Sequence, residues 1–297
     1  MNDRPAPGRV VAATPGMDLE ADEGELIEPA DGIAVAHSGR RRRLPRGLTL
    51  RAMVPNAITS AALCSGLTGI RFAIGGDFHA AVLAVILAGL LDGIDGRVAR
   101  LMKAESRFGA ELDSLSDAVA FGVGPALILY LWSLSTAARY GWFAALALAV
   151  CCALRLARFN ASIDLPGQPH KSAGFMTGVP APAGAGLAFL PLYLWFASGL
   201  EIMRAPIVVG PWALLIAFLM ISNLPTLGWG ALRPRRSIRL EVIALAGMVL
   251  AALLTEPWLT LVAICVVYLL LMPVGVWRYR RIRLQRGAGE PSRPEPA

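Results

Sequence analysis

From Met53 onward, one apolar stretch follows another almost to the end of the chain, at roughly 53 to 74, 78 to 101, 109 to 133, 140 to 159, 180 to 200, 205 to 228, 239 to 255 and 257 to 277. A helix that crosses a bilayer needs about 20 predominantly apolar residues. These eight stretches therefore predict an all-α, polytopic membrane helix bundle. Composition agrees: 56% of the 297 residues are hydrophobic and 16% are charged, where water-soluble domains carry about a quarter charged residues. A soluble domain is excluded on both counts.

The segments outside the bundle differ in kind. Residues 1–38 are rich in Pro, Gly, Ala and acid (Asp18, Glu20, Asp22, Glu23, Glu25, Glu28 and Asp31) without apolar periodicity, the pattern of a disordered acidic tail. Residues 39–52 set Arg40, Arg41, Arg42, Arg43, Arg46 and Arg51 around Leu44, Leu48 and Leu50, which suits a segment lying on anionic membrane lipids or simply holding its side of the membrane. The transmembrane domain is expected over 53–277, and 278–297 form a basic tail with Arg278, Arg280, Arg281, Arg283 and Arg286. The polar, acidic start is not expected to act as a cleavable signal peptide, so the first span would direct insertion.

Cationic clusters alternate from loop to loop. They precede the first span and recur at Arg97, Arg100, Lys103 and Arg107, at Arg155, Arg158 and Lys171, at Arg233, Arg235, Arg236 and Arg239, and after the eighth span. The intervening loops, near Asp77, Arg139, Glu201 to Arg204 and Glu256, carry little positive charge. The positive-inside rule then places both termini in the cytoplasm, as in a multi-pass protein of a bacterial inner membrane. A net charge of +7 does not signal nucleic-acid binding here, because the arginines sit beside hydrophobic spans rather than forming one basic face. Cys64, Cys151, Cys152 and Cys265 lie in apolar surroundings without metal-binding spacing, and His37, His79 and His170 are scattered, so neither type suggests a zinc site.

Carboxylates break the apolar pattern of the second and third spans. Asp92 and Asp95 are three residues apart, Asp113 and Asp117 four apart, so each pair shares a helix face. One pair lies near the end of a span and the other near the start of the next, across a short connection, which predicts an antiparallel helix pair with all four carboxylates converging at the cytosolic side. Each such group costs about 2.5 to 3.5 kcal/mol within a membrane helix. Oxygen-only ligands suit hard divalent ions such as Mg²⁺ or Mn²⁺. A proton or divalent-ion pathway would use the same residues, although transporter sites tend to lie at the midplane within internal repeats, and no repeat is visible. Gly96, Ala99 and Gly109 leave room beside the carboxylates, or serve helix packing.

The residues from Asp92 to Asp117 read D-x-x-D-G-x-x-A-R, eight residues, then G-x-x-x-D-x-x-x-D. This resembles the signature of the CDP-alcohol phosphatidyltransferase family. Further tracts resemble the membrane-embedded serine-using branch of that family: Pro55-Asn56-Ala57-Ile58-Thr59, Arg155-Leu156-Ala157-Arg158-Phe159-Asn160, Gly174-Phe175 with Gly178-Val179-Pro180-Ala181-Pro182-Ala183, and Ser222-Asn223-Leu224-Pro225-Thr226. The resemblance covers residues 52–275 approximately. It implies a six-helix catalytic core, here with two extra C-terminal spans, a homodimer, and an active site in a polar cavity open to the cytosol. The reaction it implies is CDP-diacylglycerol plus L-serine giving phosphatidylserine plus CMP. By position, Asp92, Asp95, Asp113 and Asp117 would surround two divalent ions, with Asp117 as general base. Asn56, Thr59, Gly96, Ala99, Arg100 and Gly109 would receive the CDP-lipid.

That chemistry fits the residue types. Phosphoryl transfer is mostly positioning and charge stabilisation, and two ions about 3.5 to 4 Å apart clamp a diphosphate. A seryl hydroxyl needs a base within about 3 Å of its proton. Serine also carries a carboxylate, which an Arg fork matches in bidentate fashion. Arg155 and Arg158, with Asn160 and Lys171 nearby, are the expected serine-binding residues, unless they are positive-inside anchors. Choline, glycerol 3-phosphate or an inositol phosphate are the alternative acceptors.

Overall fold

The computed structural model describes residues 50–163, 175–222, 225–227 and 239–287. The acidic tail, all but the last three residues of the basic segment, Lys171 and the end of the C-terminal tail lie outside the described residues. Backbone polar groups in hydrocarbon must be satisfied within the segment, which favours helices, and the described chain is helical apart from turns and one short strand pair.

Helices α1 (Leu50–Ile74) and α2 (Phe78–Leu101) form an antiparallel hairpin. Its turn needs Gly76, at φ +81, and Asp77 caps α2 by accepting a hydrogen bond from the Ala80 N–H at 2.9 Å. Small residues allow α1 and α2 to approach closely. A Cβ on Gly69 would lie 2.9 Å from the Ala81 carbonyl oxygen, and Ser65 Oγ donates to the Ala84 carbonyl at 2.7 Å.

Residues 102–106 turn the chain, with Lys103 in the left-handed region at φ 50. Ser106 then caps α3 (Arg107–Asp117), accepting from the Gly109 N–H at 3.0 Å. After Asp117 the helix widens into a π-helical stretch, Ala118–Val123, and continues as α4 (Gly124–Trp132). Glycines again set the packing. A Cβ on Gly66 of α1 would fall 2.7 Å from Ala120 Cβ, and one on Gly122 would fall 3.1 Å from Cys152 Cβ in α5 (Ala138–Ile163).

Beyond α5 come β1 (Phe175–Thr177), α6 (Ala181–Ala188), α7 (Leu190–Ser198), α8 (Pro206–Ile221), β2 (Pro225–Leu227), α9 (Arg239–Thr255) and α10 (Pro257–Gly287). Strands β1 and β2 pair antiparallel, with Phe175 opposite Leu227 and Thr177 opposite Pro225. The core is built from Ile128, Leu129 and Trp132 of α4, Leu148 of α5, Phe189, Leu192 and Tyr193 around α7, and Ile216 and Met220 of α8, all fully buried. At the end of the bundle away from the carboxylates, Arg204 Nε donates to the Trp132 carbonyl at 2.9 Å and Ser133 Oγ to the Arg204 carbonyl at 2.6 Å.

Among the described residues, five helical runs are long and apolar enough to cross a membrane: Met53–Ile74, Phe78–Leu101, Arg107–Trp132, Arg139–Ala161 and Ala181–Ser198. Pro206–Ile221, Leu240–Thr255 and Pro257–Pro273 are shorter apolar helices. The protein is thus an all-α polytopic membrane bundle. The apolar stretch expected to run to residue 228 ends as helix at Ile221, because Pro225 donates no backbone hydrogen bond and disfavours helical geometry just before it; the chain there turns into β2.

Packing at Gly66 has a measurable consequence. Gly66→Val should lower stability by about 1 to 3 kcal/mol through overpacking against Ala120, read as a lower melting midpoint of the detergent-solubilised protein. Gly247→Ala, where an added Cβ meets nothing within 4 Å, serves as the comparison and should leave the midpoint in place.

Candidate active site

Helices α2 and α3, both packed against α1, bring three carboxylates together. One oxygen each of Asp92, Asp95 and Asp113 lies within 4.8 Å of the others. Asp95 is buried, at 4% exposure, while Asp92 and Asp113 are half-buried at the rim. Asp117, one turn after Asp113 and also half-buried, stands within hydrogen-bonding reach of Asp92. It is the last residue before the π-helical stretch, a local widening that recurs at functional sites. The three clustered oxygens offer a hard, all-oxygen donor set, which fits a divalent cation of the Mg²⁺ or Mn²⁺ type.

Helix α1 braces this cluster from behind. Thr59 Oγ1 donates to Asp95 Oδ2 at 2.6 Å and also lies 3.1 Å from the Pro55 carbonyl. Ser116 Oγ, between the two aspartates of α3, donates to the Thr59 carbonyl at 3.3 Å. Thr59, expected from sequence beside the nucleotide, is therefore bonded to a carboxylate of the cluster. Ser116 was not among the residues expected from sequence; a hydroxyl amid carboxylates on a short helix was its only signal.

The residues expected to receive the CDP-lipid surround the same cluster. Asn56 lies against Gly109, so closely that a Cβ there would stand 3.0 Å from Asn56 Oδ1. Gly96 has open space, its nearest neighbour to an added Cβ being Arg100 Nη2 at 3.9 Å. Arg100 folds back to donate from Nε to the Gly96 carbonyl at 2.9 Å. Ala99 is half-buried on α2.

The end of α5 closes the third side. Asn160 Nδ2 donates to Ser114 Oγ at 2.8 Å, tying α5 to the helix that carries Asp113 and Asp117. Arg155 is half-buried and within electrostatic range of Asp117, Cys152 and Tyr268. Its Nε is buried without a hydrogen-bond partner among the described residues. Arg158, one turn further on and exposed, donates from Nη1 to the Ile221 carbonyl at 3.0 Å and from Nη2 to the Ser222 carbonyl at 3.4 Å. The two arginines thus have different surroundings. Tyr268 of α10 gave no signal in the sequence, being a lone tyrosine in an apolar span.

Comparison with known proteins bears on this arrangement. A profile described as CDP-alcohol phosphatidyltransferase matches residues 52–221, and one described as CDP-alcohol phosphatidyltransferase 2 matches residues 237–273. The chain is 38% identical over 242 residues to the CDP-diacylglycerol–serine O-phosphatidyltransferase of Mycobacterium leprae, covering 81% of this chain and 79% of that protein. The protein of the same description from Mycobacterium tuberculosis is 38% identical over 238 residues, covering 78% and 80%. That from Helicobacter pylori is 34% identical over 177 residues, covering 58% and 70%.

The bond from Thr59 to Asp95 makes a prediction about metal affinity. Thr59→Val keeps the shape but loses the donor, and should weaken divalent binding by about tenfold, the usual penalty for losing a group that orients a ligand. Mn²⁺ titration of the purified protein, followed by electron paramagnetic resonance, measures it. Unchanged affinity would dissociate Thr59 from the site.

Proposed function

The chain belongs to the CDP-alcohol phosphatidyltransferase family, and from that premise we propose that it transfers the phosphatidyl group of CDP-diacylglycerol to L-serine, giving phosphatidylserine and CMP. The observation that carries this reading is the aspartate run of the family signature folded into one carboxylate cluster, with the half-buried Arg155 in electrostatic range of Asp117. The names of the bacterial relatives supply the acceptor.

In this reading Asp92, Asp95 and Asp113 hold divalent metal, with Asp117 beside them. Metal bound there would polarise the diphosphate and neutralise charge on the departing nucleotide. Asn56, Gly96, Ala99, Arg100 and Gly109 border the space taken by the CDP-lipid. Thr59 acts by fixing Asp95. Asp117 takes the proton of the serine hydroxyl as its oxygen attacks the phosphorus bearing the diacylglycerol; the new O–P bond forms while the bond to CMP breaks, and CMP leaves. Asp117 suits this task because it is near the metal-holding carboxylates and within the field of Arg155, which disposes the acceptor toward it.

Arg155 is the preferred partner for the serine carboxylate, because its Nε is unspent. Arg158 and Asn160 shape the wall of that pocket, and Lys171 joins the serine-binding set from outside the described residues. The loop charges support eight spans with both termini and the site at the cytoplasmic face, and the family resemblance supports dividing them into a six-helix core and two further spans. The family resemblance supports a homodimer, and the arginines of residues 39–52 support contact with anionic lipids.

The deciding experiment offers purified protein CDP-diacylglycerol, a divalent metal and, in turn, serine, choline, glycerol 3-phosphate and an inositol phosphate, with CMP release as the readout. Serine-dependent CMP is the expected result, and CMP with another acceptor only would overturn the serine assignment. Asp113→Asn and Asp117→Asn should each lower turnover by at least about 100-fold while the protein still inserts in the membrane. Arg155→Ala should raise the serine KM far more than it alters the KM for the CDP-lipid.

A further inference from the structure

Two polar atoms near the carboxylate cluster are buried without any hydrogen-bond partner among the described residues: Arg155 Nε on α5 and Tyr268 Oη on α10. They come from helices distant in sequence, yet each side chain is within electrostatic range of the other. Leaving a buried polar group unpaired costs about 1 to 3 kcal/mol, and native proteins rarely tolerate it without a reason. A phenolic oxygen can accept from a guanidinium, yet no hydrogen bond joins these two groups. Both groups are instead free to donate to a third. The nearest cationic alternative, Arg158, bonds carbonyls at the end of α8.

Resting on the serine reading above, we propose that Tyr268 is a specificity residue for the acceptor: its hydroxyl and Arg155 Nε donate together to the carboxylate of the amino-acid substrate. A carboxylate oxygen has lone pairs for both donors, and the pairing with a guanidinium is charge-assisted. Helix α10 is held for this role by its packing against α7 and β2, the latter paired with β1. Tyr268 lies beyond residues 52–221, which hold every aspartate of the cluster. The acceptor would therefore be sorted in part by an element outside the segment that carries the aspartates. The CDP-lipid diphosphate is the other anion that enters the site, and the kinetics separate the two.

The test compares steady-state kinetics of the full-length enzyme with Tyr268→Phe and Tyr268→Gln. Tyr268→Phe removes one oxygen and should raise the serine KM about tenfold, leaving kcat and the KM for CDP-diacylglycerol within about twofold. Tyr268→Gln restores a donor and should recover part of the serine affinity. An unchanged serine KM in Tyr268→Phe, or a rise confined to the CDP-lipid KM, overturns the proposal. So does equal loss of kcat and melting midpoint in both variants, the mark of a structural role. Failure of the serine reading itself shows separately, as wild-type protein that releases no CMP with serine.

Discussion

Mutual repulsion of carboxylates is the constraint on which the rest of this structure turns. Three aspartate oxygens lie within 4.8 Å of one another, with a fourth aspartate in hydrogen-bonding reach. Two such charges at about 4 Å repel by about 4 kcal/mol at an effective dielectric of about 20, more than most single packing contacts return. A fold that holds them together needs protons or a cation in the gap, and a scaffold stiff enough to keep it open. The scaffold is visible. Gly69 lets α1 lie against α2, Gly66 lets it lie against the π-helical stretch after Asp117, and Thr59 then reaches Asp95. The glycines of α1 act on the site at one remove, by permitting the helix approach that puts a hydroxyl behind a buried carboxylate.

Much of this arrangement was legible in the sequence. The carboxylate spacing, three and four residues, puts each pair on one helix face, and the short connection brings Asp92 and Asp95 of α2 to Asp113 of α3; that both helices would pack mainly on α1 was not legible. Among the described residues, five of the eight apolar runs form helices long enough to cross a bilayer and the other three form shorter apolar helices. Features that depend on a single distant contact were not legible. Thr59 looked like a ligand to substrate because it sits in a motif with Asn56, whereas its nearest partner is decided by the depth at which α1 crosses α2. The π-helical widening after Asp117 leaves no mark in composition. Tyr268 lies in a span whose apolar pattern matches a lipid-facing helix as well as a pocket-facing one.

Arg155 and Arg158 show how local rules fail to divide labour. They are one turn apart in a single arginine-rich tract, and spacing alone makes them equivalent. The difference arises from α8, whose last carbonyls have no intrahelical partner. Arg158 supplies that partner, bonding the carbonyls of Ile221 and Ser222, and a cation at a helix C-terminus is further favoured by the backbone dipole. Gly178 reinforces the same junction. It sits at φ +76, and a Cβ there would fall 2.6 Å from the Met220 carbonyl oxygen, so the chain entering α6 can pass close under the end of α8. With the outer arginine so engaged, the inner one keeps a buried Nε donor with no partner among the described residues.

That division bears on how a shared chemistry acquires a particular acceptor. Metal-holding carboxylates and a base serve any alcohol, since what they recognise is the diphosphate and a hydroxyl proton. Discrimination requires groups that meet what distinguishes one alcohol from another, and a buried donor left without its acceptor rejects the wrong substrate more strongly than added apolar contact does. Arg155 with Tyr268 is such a pair in the reading advanced above. In that reading, because α10 lies outside the segment that carries the aspartates, changes in it would alter the acceptor without disturbing the carboxylate geometry. Repulsion within the cluster penalises small shifts of that geometry, and placing part of the selectivity on a separate helix would keep the two demands from competing.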